Sequence, residues 1–154
     1  MTNSEKLLSS FSENYFYKEL VYSQLKFVPD GGTEIELADL IINLGDVILA
    51  IQLKERNEKD RTQGKNTEEK WLEKKCKKAK EQINDTISYI KTEKISFVNA
   101  RGKRTMINSD AEIVPLVVFE NKSICKYEHL LRSHSNDGLT VNCMSLDDFK
   151  YMCR

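Results

Sequence analysis

The sequence predicts an α/β protein built in layers, a mixed sheet with a central hairpin flanked by helices. Three observations point there. Residues 36–56, "ELADLIINLGDVILAIQLKER", read as two arms rich in Ile, Val and Leu folded about Leu44-Gly45-Asp46. Strands apolar on both faces are the kind that helices cover on both sides. Leu72, Cys76, Ala79, Ile83, Ile87 and Ile90 then recur at helical spacing, which sets a long helix to about residue 91. The order of elements is helix, hairpin, helix, strands and short helix, a layered sandwich rather than a repeated βαβ unit.

Along the chain, residues 5–27 read as the first helix, with Phe16, Leu20 and Phe27 on one stripe and Glu19 on its flank. "PDGG" at 29–32 stops it. The hairpin arms follow, at about 37–44 and 47–54. "ERNEKDRTQGKN" holds no aliphatic or aromatic residue and reads as a loop. Asn66 with Glu69 has the spacing of a capping box at the start of the second helix. "KISFVNA" and "AEIVPLVVF" read as strands separated by the polar turn "RGKRTMINSD", and Pro115 demands an edge or a ladder gap in the second of them. "LTVNCMS" reads as a last short strand. Ser145 and Asp148 then cap a final helix of one or two turns, marginal by itself and the mark of a truncated or naturally short end.

The 154 residues make one domain over 1–154, with a core at about 10–120 and a C-terminal strand and short helix at about 139–154. Lysine and arginine total 24 against 24 acidic residues, so net charge points to no partner. The absence of a long apolar run and of a signal-peptide pattern predicts a cytoplasmic protein with no membrane contact. Cys76, Cys125, Cys143 and Cys153 show no CxxC or metal-ligand spacing and read as reduced thiols. His129 and His134 have no acidic partner pattern and read as surface or loop residues.

The polar residues in the hairpin carry the chemistry. In an antiparallel pair about a Gly45-Asp46 turn, opposite positions add to a constant, so Asp39 faces Gln52. Side chains alternate, which puts Lys54 on the face of Gln52 and the cross-strand Asp39 with them. A carboxylate and an amide carbonyl are hard oxygen donors suited to Mg²⁺ or Mn²⁺. A lysine beside them can hold a phosphate or orient a water. The same residues also fit a solvated strand end, a hydrogen-bonded core amide and its snorkelling neighbour.

Asp39, thirteen residues, then Gln52-x-Lys54 on a hairpin, with a helix before and a helix after, resembles the PD-(D/E)xK nuclease superfamily in a QxK variant. The resemblance implies a restriction-endonuclease-like α/β/α core and a metal-dependent nuclease that hydrolyses DNA phosphodiester bonds, in defence against foreign DNA. It implies Asp39, Gln52, Lys54 and a glutamate of the first helix as catalytic residues. Glu19 fills that last place ahead of Glu13, and Asp39, Gln52 and Glu19 hold Mg²⁺ or Mn²⁺. Glu36 is either an outer ligand or a solvated strand start. Lys78 and Gln82, one turn apart, are candidate nucleic-acid contacts. The local basic patches "KDRTQGK" and "RGKR" add Arg101, Lys103 and Arg104 to them. DNA is the expected partner, and a homodimer or a partner protein is compatible with the family. Glutamine in place of the family's acid, and Ala38 in place of its proline, keep open a catalytically inactive nuclease-fold protein that binds nucleic acid or a partner protein.

Overall fold

A computed structural model describes residues 1–29, 32–56, 65–92, 95–120 and 140–153, with side chains of the second helix described from residue 68. The elements are α1 (Asn3–Tyr15), β1 (Val21–Phe27), β2 (Ile35–Asn43), β3 (Val47–Lys54), α2 (Lys65–Thr92), β4 (Ser96–Val98), β5 (Arg104–Met106), β6 (Glu112–Phe119), β7 (Asn142–Ser145) and α3 (Leu146–Met152). Among the described residues the main sheet has the order β1-β2-β3-β6-β7, and β4-β5 form a small second sheet. β1, β2 and β3 run antiparallel in turn, while β6 and β7 add parallel rungs. The hairpin therefore lies inside a mixed sheet, as expected.

Two apolar layers cover it. Leu40, Ile42, Ile51 and Leu53 pack with Leu8 of α1 and with Leu146 and Phe149 of α3. On the other face Ile41 and Ile48 meet Ile90 of α2, and Val117 and Phe119 meet Leu72, Cys76, Ala79 and Ile83. The residues alternate along each strand, which is what a sheet covered on both sides requires. α3 is short, yet it is held by the Ser145–Asp148 capping box and by Phe149, buried against Phe11 of α1 at 6.2 Å between ring centroids. Tertiary packing replaces the length it lacks.

The first helix is a correction. α1 ends at Tyr15, and the second half of the expected 5–27 helix is β1. Tyr17 takes a left-handed φ of 66°, the conformation that closes a helix, without the Gly or Asn that would announce it. Gln24, at φ 52°, sits just before a register shift at Leu25/Lys26, which breaks the two-residue alternation of β1 and hides the strand. The "polar turn" at 101–110 also contains β5, which pairs Thr105 with Phe97.

Pro115 lies within β6, an interior strand rather than an edge. Its carbonyl accepts from the Asn142 side-chain amide, and β6–β7 pairing begins one residue later at Leu116–Asn142. The missing N–H thus falls where the ladder has not yet started. α2 already begins at Lys65, so Asn66 lies inside the helix rather than at the cap expected there. The loop at 57–64, most of the "KDRTQGK" patch, Cys125, His129 and His134 lie outside the described residues.

The hairpin turn is as the sequence predicts. Leu44 N–H donates to the Val47 carbonyl, and Gly45 takes a φ of 95° with nothing within 4 Å of an added Cβ. Gly45→Ala should therefore cost only the left-handed backbone penalty, about 1 kcal/mol. Chemical denaturation should show that loss, and a mutant as stable as wild type would mean that the turn is not held at this φ.

Candidate active site

The β2–β3 pairing runs from Asn43–Ile48 to Leu40–Ile51 and then stops. The next pair in this register is Asp39 with Gln52, as the sequence requires. There the strands part. Leu53 N–H donates to Asp39 Oδ2 at 2.6 Å, a side chain taking a bond that a strand carbonyl usually takes. Thr86 of α2 donates to the Leu37 carbonyl, so the helix meets the backbone of β2 beyond the split. This unpaired end of the hairpin, with α2 bonded to both strands, is the notch.

Five of the predicted residues gather there, Asp39, Gln52 and Lys54 of the hairpin and Lys78 and Gln82 of α2, and Lys75, which no sequence pattern singles out, lies with them. Gln52 is 3% exposed. Lys54 Nζ donates to Gln52 Oε1 at 3.3 Å and to Gln82 Oε1 at 2.8 Å. Its three ammonium protons thus include two held by amide carbonyls. Lys75 and Lys78 act on the same ammonium through space. Lys75, Lys78 and Gln82 share a helix face by their spacing of three and four.

Burial dominates the electrostatics. It pushes the Asp39 carboxyl up to about 6, against the opposing Leu53 hydrogen bond and Lys54, and Glu36 and Glu5 raise it further. Lys54 is lowered, first by burial and then by Lys75 and Lys78, with Asp39 opposing. The notch therefore holds one carboxyl that ionises reluctantly and one ammonium that gives up its proton more readily than a surface lysine.

Glu19 is not part of this group. It lies in the turn before β1, with its carboxylate 2.5 Å from Arg101 Nε and its carbonyl accepting from Asn99. The adjacent Leu20 carbonyl accepts from Asn43 at the closed end of the hairpin. Asp39 is four residues further along β2, about 13 Å away. The expected role of Glu19 rested on a helix that ends at Tyr15. Glu13 is no nearer to replacing it, since it accepts from Ser9 and pairs with Lys18 at 3.9 Å. Of the α1 acids, Glu5 in the first turn is the one whose charge acts on Asp39 through space, while its carboxylate accepts from the Thr2 N–H at 2.7 Å. Ser4 N–H donates to Glu55, just past β3, which docks this end of α1 at the notch. The pattern Thr2-x-x-Glu5, a capping box, was the sequence signal for where α1 begins. Glu36 is exposed on β2.

Arg101, Lys103 and Arg104 also lie apart, around the β4–β5 hairpin. Arg101 pairs with Glu19, Lys103 N–H donates to Asn99 Oδ1, and Arg104 donates to Ser96 Oγ. Among the described residues no group of three or more His, Cys, Asp and Glu side chains comes together as a metal site.

The chain matches no protein-family model and no curated protein. Among solved structures it is similar to the small subunit of the heterodimeric restriction endonuclease R.BspD6I, at 12% identity and a TM-score of 0.37, with 97% of this chain and 73% of that subunit covered. No helix among the described residues is long and apolar enough to cross a membrane.

The raised Asp39 value has a signed consequence. A carboxyl with a folded value above its ordinary 3.8 favours the fold when neutral, and that contribution is lost as pH rises through about 6. The gap corresponds to on the order of 3 kcal/mol. Asp39→Asn, which keeps an acceptor for Leu53, should therefore stabilise the metal-free protein by roughly 1–3 kcal/mol near neutral pH, and by under about 1 kcal/mol near pH 4.5. Denaturant midpoints at the two pH values test this, and an equal gain at both would place Asp39 in water rather than in the notch.

Proposed function

We propose that the protein is a metal-dependent nuclease of the PD-(D/E)xK type that hydrolyses DNA phosphodiester bonds. The observation that carries this is the convergence of Asp39, Gln52 and Lys54 where β2 and β3 part, with Lys75 and Lys78 of α2 alongside.

The donors fit a hard divalent cation. Both are oxygens, and the Asp39 carboxylate is destabilised by burial and by Glu36 and Glu5, a deficit that a cation offsets. Asp39 and Gln52 would hold Mg²⁺ or Mn²⁺, with solvent completing the shell. When bound, the cation supplies Lewis acidity toward a phosphate oxygen. Lys54 does the protein's share of the chemistry. Gln52 and Gln82 fix its ammonium in place, so its remaining proton is directed at a phosphate oxygen or an attacking water without a reorganisation cost. Its lowered proton affinity also suits it to exchange a proton with that water. Lys75 and Lys78 offer positive charge to the flanking phosphates, a sequence-independent hold that weakens with salt.

One observation favours a second reading, a nuclease fold that binds nucleic acid or a partner protein without cutting. Glutamine at 52 leaves Asp39 as the notch's carboxylate, and Lys54 is already satisfied by two amides.

Supercoiled plasmid incubated with Mg²⁺ or Mn²⁺ should be nicked or linearised by wild type. Lys54→Ala should lose on the order of 10²-fold or more in rate while remaining folded, the scale expected when a single charge-stabilising donor is removed. Gln52→Glu separates the two readings. In a nuclease the new carboxylate meets a cation, and half-maximal cleavage should need less Mg²⁺. In a non-cutting protein it faces Asp39 unscreened, so stability should fall equally with and without Mg²⁺. Absence of cleavage with both metals, together with that equal loss, would remove the nuclease.

A further inference from the structure

Asp39 has no ladder partner in either neighbouring strand. On the β3 side the pairing ends at Leu40–Ile51. On the β1 side it steps from Ser23–Leu40 to Leu25–Ala38 and then to Lys26–Glu36, passing over Asp39 and then over Leu37. Leu25 and Lys26 are consecutive, so Leu37 is an extra residue in β2, the mark of a β-bulge. The alternation of β2 fails at the same place. Leu37 and Ala38 are neighbours in sequence, yet both pack in the cluster that holds Ile41, Ile48 and Ile90. Between Glu36 and Leu40, β2 keeps the ladder through Ala38 alone.

Thr86 supplies what the ladder lacks. It is 1% exposed, and its hydroxyl reaches two carbonyls, that of Leu37 and that of Gln82 at 2.8 Å. A hydroxyl has one proton, so the two carbonyls share it. The bond to Gln82, four residues back, is ordinary for a threonine in a helix. The bond to Leu37 is different, because it crosses to another element and satisfies a buried carbonyl that the bulge leaves without a strand partner. Gln82 meanwhile accepts from Lys54. One turn of α2 thus grips β2 by its backbone through Thr86, and β3 by its lysine through Gln82.

We propose that Thr86 is a positioning residue for Asp39: it locks the β2 bulge against α2, and the locked bulge aims the Asp39 carboxyl at the Leu53 N–H and the notch. Asp39 is then held from both sides, by the Thr86–Leu37 bond two residues before it and by the Leu40–Ile51 pairing one residue after it. Bulges re-aim side chains in this way beside active sites. Thr86 itself meets neither cation nor substrate in this scheme and acts through Leu37. As a statement about cleavage the proposal rests on the nuclease reading, and as a statement about the placement of Asp39 it does not.

The test compares Thr86→Val, which removes the hydroxyl at nearly constant volume, with Thr86→Ser, which keeps it, both in the full chain. The first readout is amide hydrogen exchange in metal-free protein. Thr86→Val should speed exchange at Leu53, the amide that Asp39 holds, by about tenfold beyond any change at Leu40 and Ile51, the scale of one hydrogen bond lost. Thr86→Ser should match wild type. The second readout is plasmid cleavage with Mn²⁺. Thr86→Val should lower kcat by roughly 10- to 10²-fold, the cost of an ångström of misplacement, and leave KM for DNA unchanged because Lys75 and Lys78 remain. Thr86→Ser should recover kcat. Should Thr86→Val not fold, Thr86→Ala, which leaves room for water at the Leu37 carbonyl, carries the same expectations. Failure of both to fold makes Thr86 a folding residue and overturns the proposal. Equal exchange changes at Leu53, Leu40 and Ile51 overturn it too, as does Thr86→Ser behaving like Thr86→Val. Wild type that cuts no DNA ends the nuclease reading instead, and the Leu53 amide then decides on Thr86 by itself.

Discussion

The register of β2 against β3 is the constraint on which the rest of the structure depends. A two-residue turn at Gly45-Asp46 sets it, and Leu40 therefore faces Ile51. One step of slippage would turn Leu40, Ile42, Ile51 and Leu53 away from α1 and α3, and would carry Asp39 away from Gln52. The apolar and polar requirements select the same pairing. The core enforces the register, and the notch inherits its geometry from that core.

The point where that pairing ends matters as much as the pairing itself. Continuing the ladder through Asp39 would give the Leu53 N–H a carbonyl and close the gap. Instead the carboxylate takes that bond, and α2 reaches the Leu37 carbonyl through Thr86. Asp39 is then largely buried and feels the charges of Lys54, Glu36 and Glu5 through space, and Lys54 feels those of Asp39, Lys75 and Lys78. Each charged group is destabilised by its own surroundings, and such arrangements gather at sites that bind or react rather than at sites that only hold a fold together. Gln52 completes a neutral bridge from β3 through Lys54 to Gln82. That bridge positions the ammonium without adding charge.

Much of this was legible in the sequence because it follows from periodicity. The two hairpin arms, the long α2 and the capped α3 announce themselves by apolar spacing and by the Ser145–Asp148 pattern. The meeting of Asp39 with Gln52 and Lys54 follows from counting about the turn. The boundary between α1 and β1 was hidden, because Tyr17 closes the helix in a left-handed conformation that tyrosine rarely adopts and Gln24 interrupts the alternation of β1. Glu19 is misplaced along with that boundary, whereas the Thr2–Glu5 capping box marks the start of α1 in plain view. β5 was hidden by its length of three residues and its polar composition.

The central claim is that the notch is a cation site built on Asp39. Calorimetric titration of Mg²⁺ or Mn²⁺ into the DNA-free protein, beside Asp39→Ala, tests it most directly, because cation binding there does not depend on knowing the DNA target. A saturable, roughly one-to-one binding isotherm in wild type that is lost in a folded Asp39→Ala variant is the predicted result. Indistinguishable titrations of the two proteins would contradict it, and would leave Asp39 as a buried carboxylate that only caps Leu53.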